Sequence, residues 1–171
     1  RQMCIRDRLD PAPEVGPDRF ESGTANAEAM AGTAAAVDFL AGLAGDRTLS
    51  RPEALAQVFG ELPAREGPLF QRLWEGLEGL PGVRLYGPPP ADPRAPTLSV
   101  TVEGFTPREV SARLADEFGA FLSHGDFYAA TVVERYGLKP NGMARAGIGI
   151  YTTEEEVDRV VEGVGVMADK G

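Results

Sequence analysis

Apolar residues recur along this 171-residue chain at two spacings, three to four apart in some stretches and two apart in others. The first traces one face of a helix, the second one face of a strand. Ala27–Ala44 carries Met30, Val37, Leu40 and Leu43 among alanines and glycines, and Gly45 stops it. A helix with such small side chains lets neighbours approach closely and is expected to lie buried against a larger body. Ser50-Arg-Pro-Glu opens a second helix as a capping box with proline in its first turn. Ala54, Leu55, Val58, Phe59 and Leu62 form its stripe, which Pro63 and Gly67-Pro68 are expected to interrupt. Leu69, Phe70, Leu73, Trp74, Leu77 and Leu80 then give the strongest helical stripe in the chain.

Pro81-Gly82 turns into a short strand, Val83–Tyr86, and Gly87–Pro96, with five prolines, is a surface loop. Thr97–Val102 alternates, with Leu98, Val100 and Val102 on one face and Thr97, Ser99 and Thr101 on the other. Thr106-Pro-Arg-Glu caps a helix lined by Val110, Leu114 and Phe118 and ended by Gly119. Ala120–Ser123 reads as a third strand, followed by a polar-aromatic loop, His124–Tyr128, and a helical turn near Val132–Tyr136. From Met143 a fourth strand puts Ala144, Ala146, Ile148 and Ile150 on an apolar face. Met143, Arg145, Gly147, Gly149 and Tyr151 make the other face. Two glycines beyond Arg145 leave that surface uncovered by the strand itself, so a helix, another chain or an anionic ligand must lie there. Thr153 and Glu156 form a capping box, and Glu154, Glu155 and Glu156 suit the positive end of a helix dipole. Val157, Val160, Val161, Val164 and Met167 repeat at helical spacing behind them. From Val83 the order is β-β-α-β-(α)-β-α, an α/β (α+β) sandwich with helices largely on one face of a small sheet.

Composition narrows the classes. A net charge of −9 with no block of Lys or Arg argues against nucleic acid and against an anionic membrane surface. Glu28, Asp38 and several glycines break the longest apolar-leaning run, so no transmembrane segment is expected. The single cysteine, Cys4, cannot form an internal disulfide, which points to a reducing compartment, the cytoplasm. The charged start RQMCIRDR resembles no targeting signal. Arg1–Arg8 reads as a non-native lead, and the missing initiator Met suggests a truncated reading frame. Leu9–Asp18, with three prolines, is an extended lead-in. A chain of this length can bury about 70% of its unfolded surface without disulfides or metals.

The residues alone offer little chemistry. The only histidine is His124, and no cluster with metal-ligand spacing exists. There is no P-loop, no nucleophile elbow and no dinucleotide fingerprint. His124 with Asp126 fits either an acid–base pair or a solvated loop. Gly23-Thr24 ahead of a helix is able to hold phosphate through backbone N–H groups and a hydroxyl, although such pairs are common. Arg145, taken alone, reads first as half of a structural ion pair.

The order of three stretches changes this picture. RFESGTANAEAMAGTAAAVDFLAGL, then LEGLPGVRLYGPP, then RAGIGIYTTEEEVDRVVEGV together resemble the C-terminal part of class V aminotransferases, above all their cysteine desulfurase-like members. The resemblance covers Arg19 to about Val164. It implies a pyridoxal 5′-phosphate (PLP) enzyme of the aspartate aminotransferase fold, homodimeric, acting on an amino acid. It further implies that residues 9–45 are the end of the large domain and 46–171 the small C-terminal domain, with 1–8 a non-native lead. By the same resemblance Gly23 and Thr24 reach the PLP phosphate of the partner subunit, and Arg145 grips the substrate α-carboxylate. The glycine-flanked face is then space left for the amino acid.

The chain departs from the pattern at two places, and an essential group is missing. Thr152 stands where the family motif has asparagine. Gly125-Asp126-Phe127-Tyr128-Ala129 aligns with the loop that carries the persulfide cysteine, so Tyr128 replaces the thiol. A phenol cannot accept sulfur as a thiolate does, and the resemblance therefore does not carry cysteine desulfuration over to this chain. Asp126, Tyr128 and His124 are instead candidates for shaping the substrate pocket. The only lysines, Lys139 and Lys170, lie outside the context of the family's Schiff-base lysine. No residue of this chain is therefore assigned as catalytic, and the chain alone is expected to be inactive. The alternative is a free-standing, non-catalytic α/β module that binds a small carboxylate or a partner protein. That alternative expects the Ala-rich helix to be covered; the enzyme reading expects it to lack its partners.

Overall fold

The computed structural model describes Gly16, residues 23–92 and residues 94–170. The lead Arg1–Arg8 with Cys4, the extended Leu9–Asp18 apart from Gly16, and Arg19-Phe20-Glu21-Ser22 of the first motif lie outside the described residues. Those described fall into two compact units, one ending at Val58 and one beginning at Phe59.

The first unit holds helix α1, Ala27–Gly42, whose Asn26 side chain accepts the Ala29 N–H at 2.9 Å. None of its residues is buried, and Met30 and Phe39 stand 59% and 62% exposed. The burial expected of this small-residue helix is not found among the described residues. Helix α2 runs unbroken from Arg51 to Leu77, with Pro63 and Pro68 inside it. The expected interruption does not occur, although a proline in a helix interior costs about 3 kcal/mol. Phe70, Leu73, Trp74 and Leu77 just beyond are all buried, and each fully buried large apolar side chain contributes about 1.5–3 kcal/mol. Tertiary packing of that stripe outweighs the local penalty.

The second unit is built on four antiparallel strands: β1 (Val83–Tyr86), β2 (Thr97–Val102), β3 (Ser123–Gly125) and β4 (Met143–Gly147), in spatial order β1-β2-β4-β3. Helices α3 (Pro107–Phe118), α4 (Ala130–Arg135) and α5 (Glu154–Ala168) complete it. The mixed α/β class with a small sheet holds. Two of the three expected capping boxes form in full, Thr106 with Glu109 and Thr153 with Glu156, and at the third the Ser50 N–H donates to Glu53 Oε2 at 2.9 Å. One face of the sheet (Leu98, Val100, Val102, Ala144, Ala146) packs on the stripes of α2, α3 and α5. Gly163 marks the tightest point of that layer, where a Cβ would lie 2.4 Å from Leu114 Cδ2.

Two strand boundaries move. The third strand is Ser123–Gly125, not Ala120–Ser123, because its partner is β4, with Ser123 opposite Arg145. Strand β4 ends at Gly147: Ile148 N–H still reaches Pro96 O at 2.9 Å, and then Gly149 and Thr152 close a turn. Thr152 Oγ1 accepts the Gly149 N–H at 2.9 Å, so the residue in the motif's asparagine place holds this turn. The opposite face of the sheet is not bare. Tyr86 and Met143 pack there with Val133 of α4, and Phe127 and Leu138 close the edges. Arg84 lies over the Tyr86 and Tyr136 rings, at 5.1 and 5.9 Å from their centroids.

Candidate functional site

Strand register places one row of residues across the sheet. Tyr86 pairs with Ser99, Ser99 with Arg145, and Arg145 with Ser123. Residues directly opposite share a face, so Arg145 projects on the side where β2 shows Thr97, Ser99 and Thr101. Short hydroxyl side chains flank it on both neighbouring strands. Along β4, the Met143 end of this face is covered by the α4 layer, whereas the Gly147 end is open. A Cβ built on Gly147 meets only Thr97 Oγ1, at 3.8 Å.

The exposed Arg145 has no carboxylate partner among the described residues. Its guanidinium carbon instead sits 4.0 Å from the centroid of the Phe127 ring. The structural ion pair that the arginine suggests in isolation is not formed there. An aromatic face supports the cation electrostatically but takes none of its N–H donors. Those donors remain available to a carboxylate, which a guanidinium binds through two parallel hydrogen bonds.

The loop that supplies Phe127 is built from backbone conformations that few residues adopt. Phe127 and Tyr128 have φ of 54° and 58°, in the left-handed region, which costs a non-glycine residue about 1–2 kcal/mol. Asp126 Oδ1 accepts the Tyr128 N–H at 3.0 Å and Asp126 O accepts the Ala129 N–H at 2.8 Å, which offsets part of that strain. Gly142, at φ 75°, packs so closely that a Cβ would lie 2.1 Å from Gly125 O. Asp126 thus acts on the turn, and Tyr128 stands wholly exposed at its rim. His124 pairs with Ala144 and belongs to the other side of the sheet. The structure therefore gathers Arg145, Asp126 and Tyr128 around Phe127, and it does not bring His124 to Arg145's side.

Phe127 is the residue that sequence reasoning missed. It lies 18 positions from Arg145, and only the pairing of Gly125 with Met143 sets the two side by side. A second hollow, about 290 Å3, opens at the end of β4 between Phe121, Ile148, Tyr151 and Thr152. Arg145 does not line it, and its charged rim is self-paired, with Arg159 Nη2 3.9 Å from Glu156 Oε1.

Gly23 and Thr24 belong to the first unit. Both are exposed just before α1, and a Cβ on Gly23 would meet nothing within 4 Å. Open backbone, a hydroxyl and a helix N-terminus fit a phosphate. Of the two lysines, Lys139 Nζ lies 3.3 Å from Glu134 Oε1, and Lys170 follows the end of α5. Among the described residues no group of His, Cys, Asp and Glu is placed to hold a metal ion. No helix there is long and apolar enough to cross a membrane.

The chain belongs to the class V aminotransferase family, whose sequence pattern matches residues 12–160. Members of that family are PLP-dependent enzymes. The chain is 30% identical to a probable cysteine desulfurase of Streptomyces coelicolor over 86% of its own length and 31% of that protein's. It is 32% identical to probable cysteine desulfurase 2 of Mycobacterium leprae, again over 86% of this chain and 31% of that protein. Among solved structures it resembles the apo cysteine desulfurase of Thermococcus onnurineus NA1, with a TM-score of 0.69 and 27% identity, covering 91% of this chain and 34% of that one. A cysteine desulfurase of Escherichia coli shares the fold, with a TM-score of 0.67 at 22% identity over 92% of this chain and 34% of that one. The chain thus spans about a third of the length of the relatives it matches.

Proposed function

We propose that this chain supplies the C-terminal, substrate-side part of a PLP-dependent, class V aminotransferase-like enzyme acting on an amino acid. Arg145 holds the α-carboxylate, and the open end of β4 at Gly147 leaves room for the rest of the substrate. The observation that carries this reading is the exposed guanidinium resting on Phe127, with no carboxylate partner among the described residues. Asp126 shapes the turn that borders the site and Tyr128 its rim. Gly23 and Thr24 are the residues proposed to hold the PLP phosphate of a partner subunit in a cytoplasmic homodimer. Residues 9–45 then belong to the large domain and 46–171 to the small one. When bound, the cofactor supplies an electron sink for bonds at the substrate α-carbon. This chain's own contribution is to bind and orient the carboxylate. It carries no thiol in the Tyr128 loop and no lysine in a position to anchor PLP, so by itself it is expected to be inactive. That no residue of α1 is buried among the described residues supports the enzyme reading over a self-sufficient module, which would cover that helix.

Titration of the chain with L-alanine, followed at the arginine Nε–Hε resonances by NMR, tests the carboxylate site. The expected result is a shift of the Arg145 signal, with R145Q weakening binding by about 10- to 100-fold, as loss of charge-assisted hydrogen bonds does. Equal binding by R145Q would overturn the assignment. Added PLP is expected to give no stable Schiff-base absorbance; a band abolished by changing Lys139 or Lys170 would overturn the inactivity.

A further inference from the structure

We infer that Phe127 is a positioning residue: its ring sets the guanidinium of Arg145 in the orientation that receives a carboxylate. This rests on the reading of Arg145 as a carboxylate-binding group, and it adds a second residue whose type matters. Three observations converge on it. The guanidinium carbon lies over the Phe127 ring, 4.0 Å from its centroid, well within cation–π range. The contact leaves the N–H donors of Arg145 without a hydrogen-bond partner among the described residues, which an ion pair would not do. The backbone at Phe127 is held at a φ of 54°, where a bulky side chain is disfavoured, and neighbouring groups maintain that conformation. Asp126 pins the turn through the Tyr128 N–H, and Gly142 lets the Gly125-Asp126 peptide settle against it.

A phenylalanine in a left-handed turn is unfavourable unless its placement is used. The ring packs against the small cluster of Tyr86, Val133 and Met143 on the Arg145 face, apart from the main core on the other face of the sheet. There it is partly buried, with one side packed and one under the cation. The ring packs against the cluster that holds Met143, so moving it away would expose that cluster.

The physical effect is pre-organisation. A free arginine loses rotamer freedom on binding, a penalty of about 0.5–1.5 kcal/mol for an immobilised side chain, whereas a stacked one has already lost much of it. Replacing the ring by an aliphatic group of similar size keeps the fold and removes the platform. Replacing it by tyrosine keeps the platform.

The test uses the full 171-residue chain and its F127L and F127Y variants. Each is measured for L-alanine affinity, for order of the Arg145 Nε–Hε group by heteronuclear NOE without ligand, and for unfolding midpoint. The expected result is a rigid Arg145 Nε–Hε with an upfield ring-current shift in the wild type. F127L loses both and binds L-alanine about three- to tenfold more weakly. F127Y restores both at an unchanged unfolding midpoint. Unchanged affinity and unchanged Arg145 order in F127L would overturn the inference. So would a loss of affinity that F127Y does not restore. If the wild type does not bind L-alanine at all, the carboxylate reading fails. The ligand-free order and ring-current shift then decide the role of Phe127 alone: lost in F127L and kept in F127Y, they support it; unaffected, they refute it.

Discussion

At the residue scale, the open end of the site depends on a missing side chain. Gly147 shares the face of Arg145, two residues along the same strand, and a Cβ there would touch only Thr97 Oγ1 at 3.8 Å. The fold has no need of glycine at that point, since a β-branched residue suits a strand better. The G147V chain is therefore expected to unfold within about 1 kcal/mol of the wild type. L-alanine affinity should nonetheless fall steeply, because the valine occupies the volume beside the guanidinium. Chemical denaturation together with the NMR titration checks both halves. Full affinity in G147V would show that substrate space lies elsewhere.

At the element scale, the helices carry their own start signals, and these titrate. The Glu109 carboxyl is held below its ordinary value of 4.5 by the Thr106 hydroxyl and, next, by the Thr106 backbone N–H. The Asp158 carboxyl is held down by hydrogen bonds from Arg72, which ties α2 to α5 at 2.6 and 2.8 Å. A group whose folded pKa is depressed contributes stability above its unfolded pKa and loses it as pH falls through the folded value. The unfolding temperature is therefore expected to be flat near neutrality and to decline below about pH 4.5. E109Q should melt lower at neutral pH and show a shallower acid decline. A melt series from about pH 7 to pH 3 reads this directly, and parallel curves for the two proteins would contradict it. The same scale explains the long α2 helix. Pro63 and Pro68 carry a strong local signal to stop, and the buried row from Phe70 to Leu77 overrides it.

At the scale of the whole molecule, the two faces of the sheet have different tasks. One is a close-packed layer in which α3 and α5 meet at Gly163, where a Cβ would lie 2.4 Å from Leu114 and 2.9 Å from the Phe118 ring. Leu114 is wholly buried and has nowhere to retreat. G163A is thus expected to lose about 1–3 kcal/mol to overpacking, less the gain of up to about 1 kcal/mol from replacing glycine in a helix. Gly165, on the same helix, has nothing within 4 Å of a built Cβ, so G165A should stabilise by about 0.5–1 kcal/mol. Opposite signs from two glycine-to-alanine changes two residues apart, measured by denaturant titration, would confirm the tight crossing. The other face is shared between the α4 layer and the open Arg145 end.

Alternation and helical spacing, which depend only on the geometry of neighbouring residues, were enough to place most of this fold. They located the stripe from Phe70 to Leu77, the two-faced β2, the capped starts of α3 and α5, and Arg145 on a face with glycines beyond it. The family motifs were legible for the same reason, since each is a local string. What local strings cannot hold is pairing between distant segments. The shift of β3 to Ser123–Gly125 followed from its register with β4, which also sent His124 to the far side of the sheet. That register brought Phe127 under Arg145 across 18 residues of sequence, through a left-handed turn that phenylalanine does not advertise. The continuity of α2 through two prolines was likewise settled by burial, an energy shared among four elements. Side-chain chemistry and local period name the parts of this site; long-range strand pairing and the packing it permits bring them together.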